Sequence, residues 1–72
     1  MLELAKNFID KDCIIYYAFD NQLEGIIREV TDNAILLERA DGTKEIVNPA
    51  FIIRIREHPK DKNGKKKSVV LD

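Results

Sequence analysis

The sequence contains few of the cysteine and histidine residues that stabilise very small proteins through disulfides or bound metals. It contains one cysteine, Cys13, and one histidine, His58, among 72 residues. A single cysteine cannot form a disulfide within the chain, and this pair cannot supply the usual ligand set of a zinc site. We therefore expect no metal and no cofactor. A lone thiol is also typical of a reducing compartment, which favours the cytoplasm.

Long apolar segments are missing as well. The longest candidates, residues 13–19 and 51–55, have the length of a strand. They fall well short of the roughly 20 apolar residues that a membrane helix needs. The first six residues lack the charged and then apolar layout of a signal peptide. We predict a cytoplasmic protein that has no membrane partner.

Motifs for catalysis are not seen either. The sequence has no glycine-rich phosphate loop and no triad spacing. Cys13 would need a nearby base to act as a nucleophile, and nothing in the sequence brings His58 close to it. Turn chemistry already explains the aspartates at the predicted turns. We predict that the protein is not an enzyme.

Charge divides the chain into two parts, although the net charge is only -1. Residues 1–57 contain seven Lys/Arg and eleven Asp/Glu, whereas residues 58–72 contain five Lys and two Asp. The near-neutral total argues against a dedicated duplex-DNA binder. We predict a folded domain over residues 1–57 and a basic, lysine-rich C-terminal tail over residues 58–72. Residues 68–71 of that tail have the pattern of a further strand.

Hydrophobic periodicity predicts one helix followed by strands. Residues 2–9 are apolar on one helical face, and a helix this short must pack against something to be stable. From Cys13 the period changes to two, and both sides of this first strand are apolar, so we expect both to be covered. Five strands are predicted, over residues 13–19, 22–31, 34–40, 43–48 and 51–56.

Three sites in the sequence indicate where these strands bend, turn or end. Gly25 lies inside the long second strand, which indicates a bend or a close backbone approach. Asp41 and Gly42 favour a two-residue hairpin turn, and Pro49 marks a break before the fifth strand. The pattern is typical of a mostly-β fold, a five-strand small barrel of SH3-like or Sm-like type with a short N-terminal helix.

The alternation within the strands predicts which side chains face the interior. In the fifth strand, Phe51, Ile53 and Ile55 are predicted to face inward, and Ile52, Arg54 and Arg56 outward. In the first strand, Tyr17 and Phe19 share the side of Cys13, whereas Tyr16 is the more exposed aromatic residue and could stack on a base.

Residues 25–37 resemble the first Sm motif, in the version found in the Hfq RNA chaperones. They show a glycine before an alternating apolar strand, a short turn, and then the Ile-Leu-Leu strand at residues 35–37. The chain is therefore interpreted as a divergent member of the Sm-like family over residues 2–57. The resemblance implies a ring-forming homo-oligomer that binds RNA, in which the fourth strand of one subunit pairs with the fifth strand of the next.

The residues of the family's uridine site do not carry over. That site uses a glutamine and an aromatic residue after the second strand, where this chain has Asp32 and Asn33. It also uses a Tyr-Lys-His run before the fifth strand, where this chain has residues 47–49, Val-Asn-Pro. Base stacking on an aromatic ring is worth about 1–3 kcal/mol per base. The resemblance therefore implies the fold without the usual uridine site.

The remaining candidates for RNA contact are basic. They are Arg54, Arg56, Lys60, Lys62, Lys65, Lys66 and Lys67. The lysines also fit a solvated charge run. The arginines also fit cross-strand pairing with carboxylates such as Glu45, or a place at an oligomer edge.

Two functions are compatible with these observations. The first is a non-enzymatic Sm-like module that forms a homo-oligomer and binds RNA through its basic surface and tail. The second is a protein-interaction or structural barrel, similar to PRC-barrel proteins. In that case a strand edge, or residues 69–71, would pair with another protein, and nucleic acid would play no role.

Overall fold

The computed structural model describes residues 2–18 and 21–59, which form a mostly-β domain. Helix α1 spans Leu2–Ala5 and continues into a 3₁₀ turn over Lys6–Phe8, and a second 3₁₀ turn spans Pro49–Phe51. The strands are β1 (Asp12–Tyr17), β2 (Asn21–Val30), β3 (Ile35–Glu38), β4 (Lys44–Val47) and β5 (Ile52–Glu57). The predicted helix and all five predicted strands are confirmed. The five tail lysines and the predicted strand at residues 68–71 lie outside the described residues.

The strands form one antiparallel sheet in the order β4-β3-β2-β1-β5. β4 and β5 are the two edges, and they do not pair with each other within the described residues. The five-strand mostly-β architecture with a short N-terminal helix is therefore confirmed. The sheet is not closed, so the barrel is not confirmed.

The core lies on one face of this sheet, beneath the N-terminal helix. Fully buried residues come from the three central strands and include Cys13, Ile15, Ile27, Ile35 and Leu37. Ala5 of α1 belongs to the same cluster, so the helix packs on the core as expected. Ile14 alternates to the opposite face of β1 and is fully buried too, which confirms that both faces of this strand are covered.

Gly25 allows β2 and β3 to approach closely. It pairs with Cys13 in the sheet, and a Cβ atom there would lie 2.7 Å from the carbonyl oxygen of Glu38 and 2.9 Å from Leu37 Cγ. Any other residue at this position would push β3 away. The predicted close approach at the glycine is confirmed.

The hairpin between β3 and β4 lies where Asp41 and Gly42 predicted it, with a different turn. Of the two turn residues, only Gly42 has a positive φ, of 88°, whereas the predicted two-residue turn needs a positive φ at both positions. Gly42 N–H donates to the carbonyl of Arg39, and Arg39 N–H donates to that of Thr43. These bonds are typical of a three-residue connection that ends in a left-handed glycine.

The inward and outward positions of β5 differ from the prediction. The pairing with β1 shifts by one residue: Tyr16 faces Arg54, but Tyr17 faces Ile52, so Ile53 has no partner opposite. Ile52 is buried as a result, whereas Phe51 and Ile53 are each 65% exposed. The predictions that Phe51 and Ile53 face the interior and that Ile52 faces outward were wrong, because a bulge reverses the alternation at this point.

Candidate functional site

Exposed apolar side chains gather at the two edges of the sheet. Ile46 on β4 is 76% exposed, and Phe51 and Ile53 lie directly before and within β5. The only other large exposed apolar residue in the described part of the chain is Leu4 on α1. The edges also carry backbone groups that no neighbouring strand of the described sheet pairs. Both features are typical of surfaces that bind another chain.

A shallow apolar groove adjoins the β4 edge. It runs between β4, the ends of β1 and β2, and the residue that precedes β5. Its lining residues are Tyr17, Leu23, Glu45, Ile46, Val47, Asn48 and Phe51. The groove therefore joins the exposed residue of β4 to the exposed Phe51, and the apolar surface is continuous there.

Arg54 and Arg56 lie on the outer face of β5, as their alternation predicts. The Arg54 guanidinium lies over the ring of Tyr16, 4.1 Å from its centroid, in a cation–π contact. Arg56 faces the buried Ile14 across the sheet. Neither arginine forms a salt bridge with a residue of the described ranges. Both are exposed and can meet a phosphate or a partner's carboxylate.

Glu45 is not the partner of these arginines within one chain. It lies on β4, at the opposite edge of the sheet from β5, and its carboxylate is 3.2 Å from Arg39 Nη1. Cross-strand pairing of Arg54 or Arg56 with Glu45 inside one molecule, one of the alternatives from the sequence, is therefore wrong. Strand order decides this point, and the sequence does not specify it.

Tyr16 is half-buried, and one face of its ring is covered by Arg54. A base could stack only on what remains exposed. Tyr17 is half-buried as well and lines the apolar groove. Phe19 lies outside the described residues.

Four of the five positions that correspond to the uridine site of Sm-like proteins come together. Asp32, Asn33, Asn48 and Pro49 line one hollow beside α1, with Leu2, Glu3 and Ala50. The fifth, Val47, lines the groove beside β4 instead. Asn48 shapes the wall of this hollow beside α1, because its side chain accepts a hydrogen bond from Ala50 N–H at 2.9 Å. The lining contains two carboxylates, and among the described residues it has no cation and no aromatic ring. This hollow is chemically unsuited to a base and its phosphate.

Cys13 is an inert thiol. It is fully buried and donates to the carbonyl of Lys11 at 3.2 Å. Burial, with smaller contributions from the carboxylates of Glu57 and Asp12, raises the pKa of the Cys13 thiol to about 11. The thiolate, which is the reactive form, is therefore scarce at neutral pH.

His58 is the residue that the sequence interpretation overlooked. It follows β5 directly and is only 5% exposed, and its backbone N–H donates to the carbonyl of Asp12 at 2.8 Å. Its ring Nε2 is 3.1 Å from Glu24 Oε1, and its Nδ1 is 3.0 Å from the carbonyl oxygen of Pro59. A signal was present, since His58 continues the alternation of Arg54 and Arg56 by one more step.

Within residues 2–18 and 21–59, no three His, Cys, Asp or Glu side chains come together as a metal site requires. In the same part of the chain, no helix has the length and apolar character needed to cross a bilayer.

Comparison of the chain with protein-family models, with curated proteins and with solved structures gives no match. Membership of the Sm-like family therefore stays a prediction from the sequence.

Proposed function

We propose that this domain is a non-enzymatic assembly module that binds through its free sheet edges, with a second copy of itself as the first partner. The observation that carries this proposal is the position of Ile46, Phe51 and Ile53 on or beside β4 and β5. An edge strand offers unpaired N–H and C=O groups that another strand can complete. The apolar side chains supply contact area next to them.

The two edges share one property that suits them to pair with each other. Each carries an exposed isoleucine, Ile46 on β4 and Ile53 on β5. β4 of one copy beside β5 of the next would bring the exposed isoleucines together and cover both edges. The same pairing of fourth and fifth strands is what the Sm-like resemblance implies. A domain of this size also gains stability from an oligomer interface.

The test is the mass in solution of the wild-type chain and of three lysine variants, measured by light scattering after gel filtration. Ile46→Lys and Ile53→Lys place a charge on an edge, which is how natural sheets block edge pairing. Leu4→Lys is the matched control, because Leu4 is exposed but lies on α1. We expect an oligomer for the wild type and for Leu4→Lys, and monomers for the two edge variants. A monomeric wild type would contradict the proposal.

RNA binding through the basic residues is the second candidate function. The observation that favours it is that Arg54 and Arg56 are exposed on one face of β5 with no carboxylate partner among the described residues. Arginine binds phosphate well, because its planar guanidinium can donate two parallel hydrogen bonds. Lys60, Lys62, Lys65, Lys66 and Lys67 follow β5 along the chain and would extend this basic surface.

Fluorescence anisotropy with oligo-U and oligo-A at physiological salt tests this second function. We expect weak, salt-dependent binding that is reduced in Arg56→Gln and in a chain truncated after Pro59, which keeps the buried His58. Lys44→Gln is the control, since it removes one exposed charge from β4. Binding that survives the truncation undiminished would exclude the lysines as the contact surface. The absence of any RNA binding would reject this second function, and the assembly function would be the one that remains.

A further inference from the structure

We draw no further inference here: the strongest candidate, the hollow between β2 and the β3–β4 hairpin that is lined in part by Asp12, Glu24, Glu38, Asp41 and Glu45, is a cluster of acidic residues that already interact with other groups of the chain, and no second feature of residues 2–18 and 21–59 points to a ligand there.

Discussion

The centre of the sheet and its edges use the same residue type in opposite ways. Ile14 and Ile15 on β1 are fully buried, whereas Ile46 on β4 and Ile53 on β5 are largely exposed. β1 has a neighbouring strand on each side, whereas β4 and β5 have one each, and the bulge in β5 turns Ile53 outward while Ile52 stays buried. Ile14 and Ile15 therefore stabilise the fold, whereas Ile46 and Ile53 are available to a partner. The predictions below test this division.

The largest expected effect is the removal of a central side chain. Leu37→Ala should lower the free energy of unfolding by about 2–5 kcal/mol, because Leu37 is fully buried and the substitution leaves a cavity. Ile46→Ala, the edge counterpart, should change the stability of the monomer by less than about 0.5 kcal/mol. Urea denaturation at a concentration where the protein is monomeric measures both values. Similar losses in the two variants would abolish the distinction between centre and edge.

The buried thiol should make stability depend on pH at the alkaline end. The pKa of Cys13 is raised in the folded state, so folding favours the protonated thiol, and the contribution is complete below the unfolded value. It should be lost between about pH 9 and 11, by up to about 3 kcal/mol. Urea midpoints across this range measure the loss. Cys13→Ala is the control for other groups that titrate there, and an equally steep decline in that variant would refute the assignment to Cys13.

A methyl group at Gly25 should disturb the packing of β2 against β3. Gly25→Ala places the new atom against the backbone of Glu38, so we expect a loss of about 1–3 kcal/mol in unfolding free energy. Gly42→Ala, in the hairpin, meets no atom within 4 Å but keeps a positive φ, so about 1 kcal/mol is expected. Thermal or urea unfolding compares the two. We expect the loss of unfolding free energy to be larger in Gly25→Ala than in Gly42→Ala, and the reverse order would contradict the packing argument.

The smallest effect concerns the outer face of β5. Arg54→Gln should cost about 0.5–1 kcal/mol, because it removes the cation–π contact with Tyr16. Arg56→Gln should cost less, since Arg56 has no ionic partner among the described residues. Chemical denaturation measures stability, and the tyrosine fluorescence of Arg54→Gln reports the local change. A larger loss in Arg56→Gln would show that this arginine has a structural role.

Local pattern was sufficient to predict much of the fold. The change of period at Cys13, the glycine at position 25 and the hairpin at residues 41–42 all depend on near neighbours, and the structure contains each feature. The turn type was wrong because Asp-Gly occurs in more than one hairpin geometry.

The candidate site was harder to predict because it depends on contacts between distant segments. The register shift at Ile53 depends on how β5 pairs with β1. Whether Glu45 can pair with the arginines of β5 depends on the order of the strands in the sheet. His58 was assigned to a tail, although its hydrogen bonds to Asp12 and Glu24 place it within the folded domain. Each of these outcomes joins residues that lie far apart in the sequence.

The bulge at Ile53 has a consequence for how this surface can change in evolution. One unpaired residue moves an isoleucine from the interior to the exterior while the composition of the strand stays the same. Gain or loss of a single codon in β5 could therefore create or erase the apolar edge in one step. Point substitutions would need several steps to do the same. Related chains should accordingly differ here in length more than in residue type.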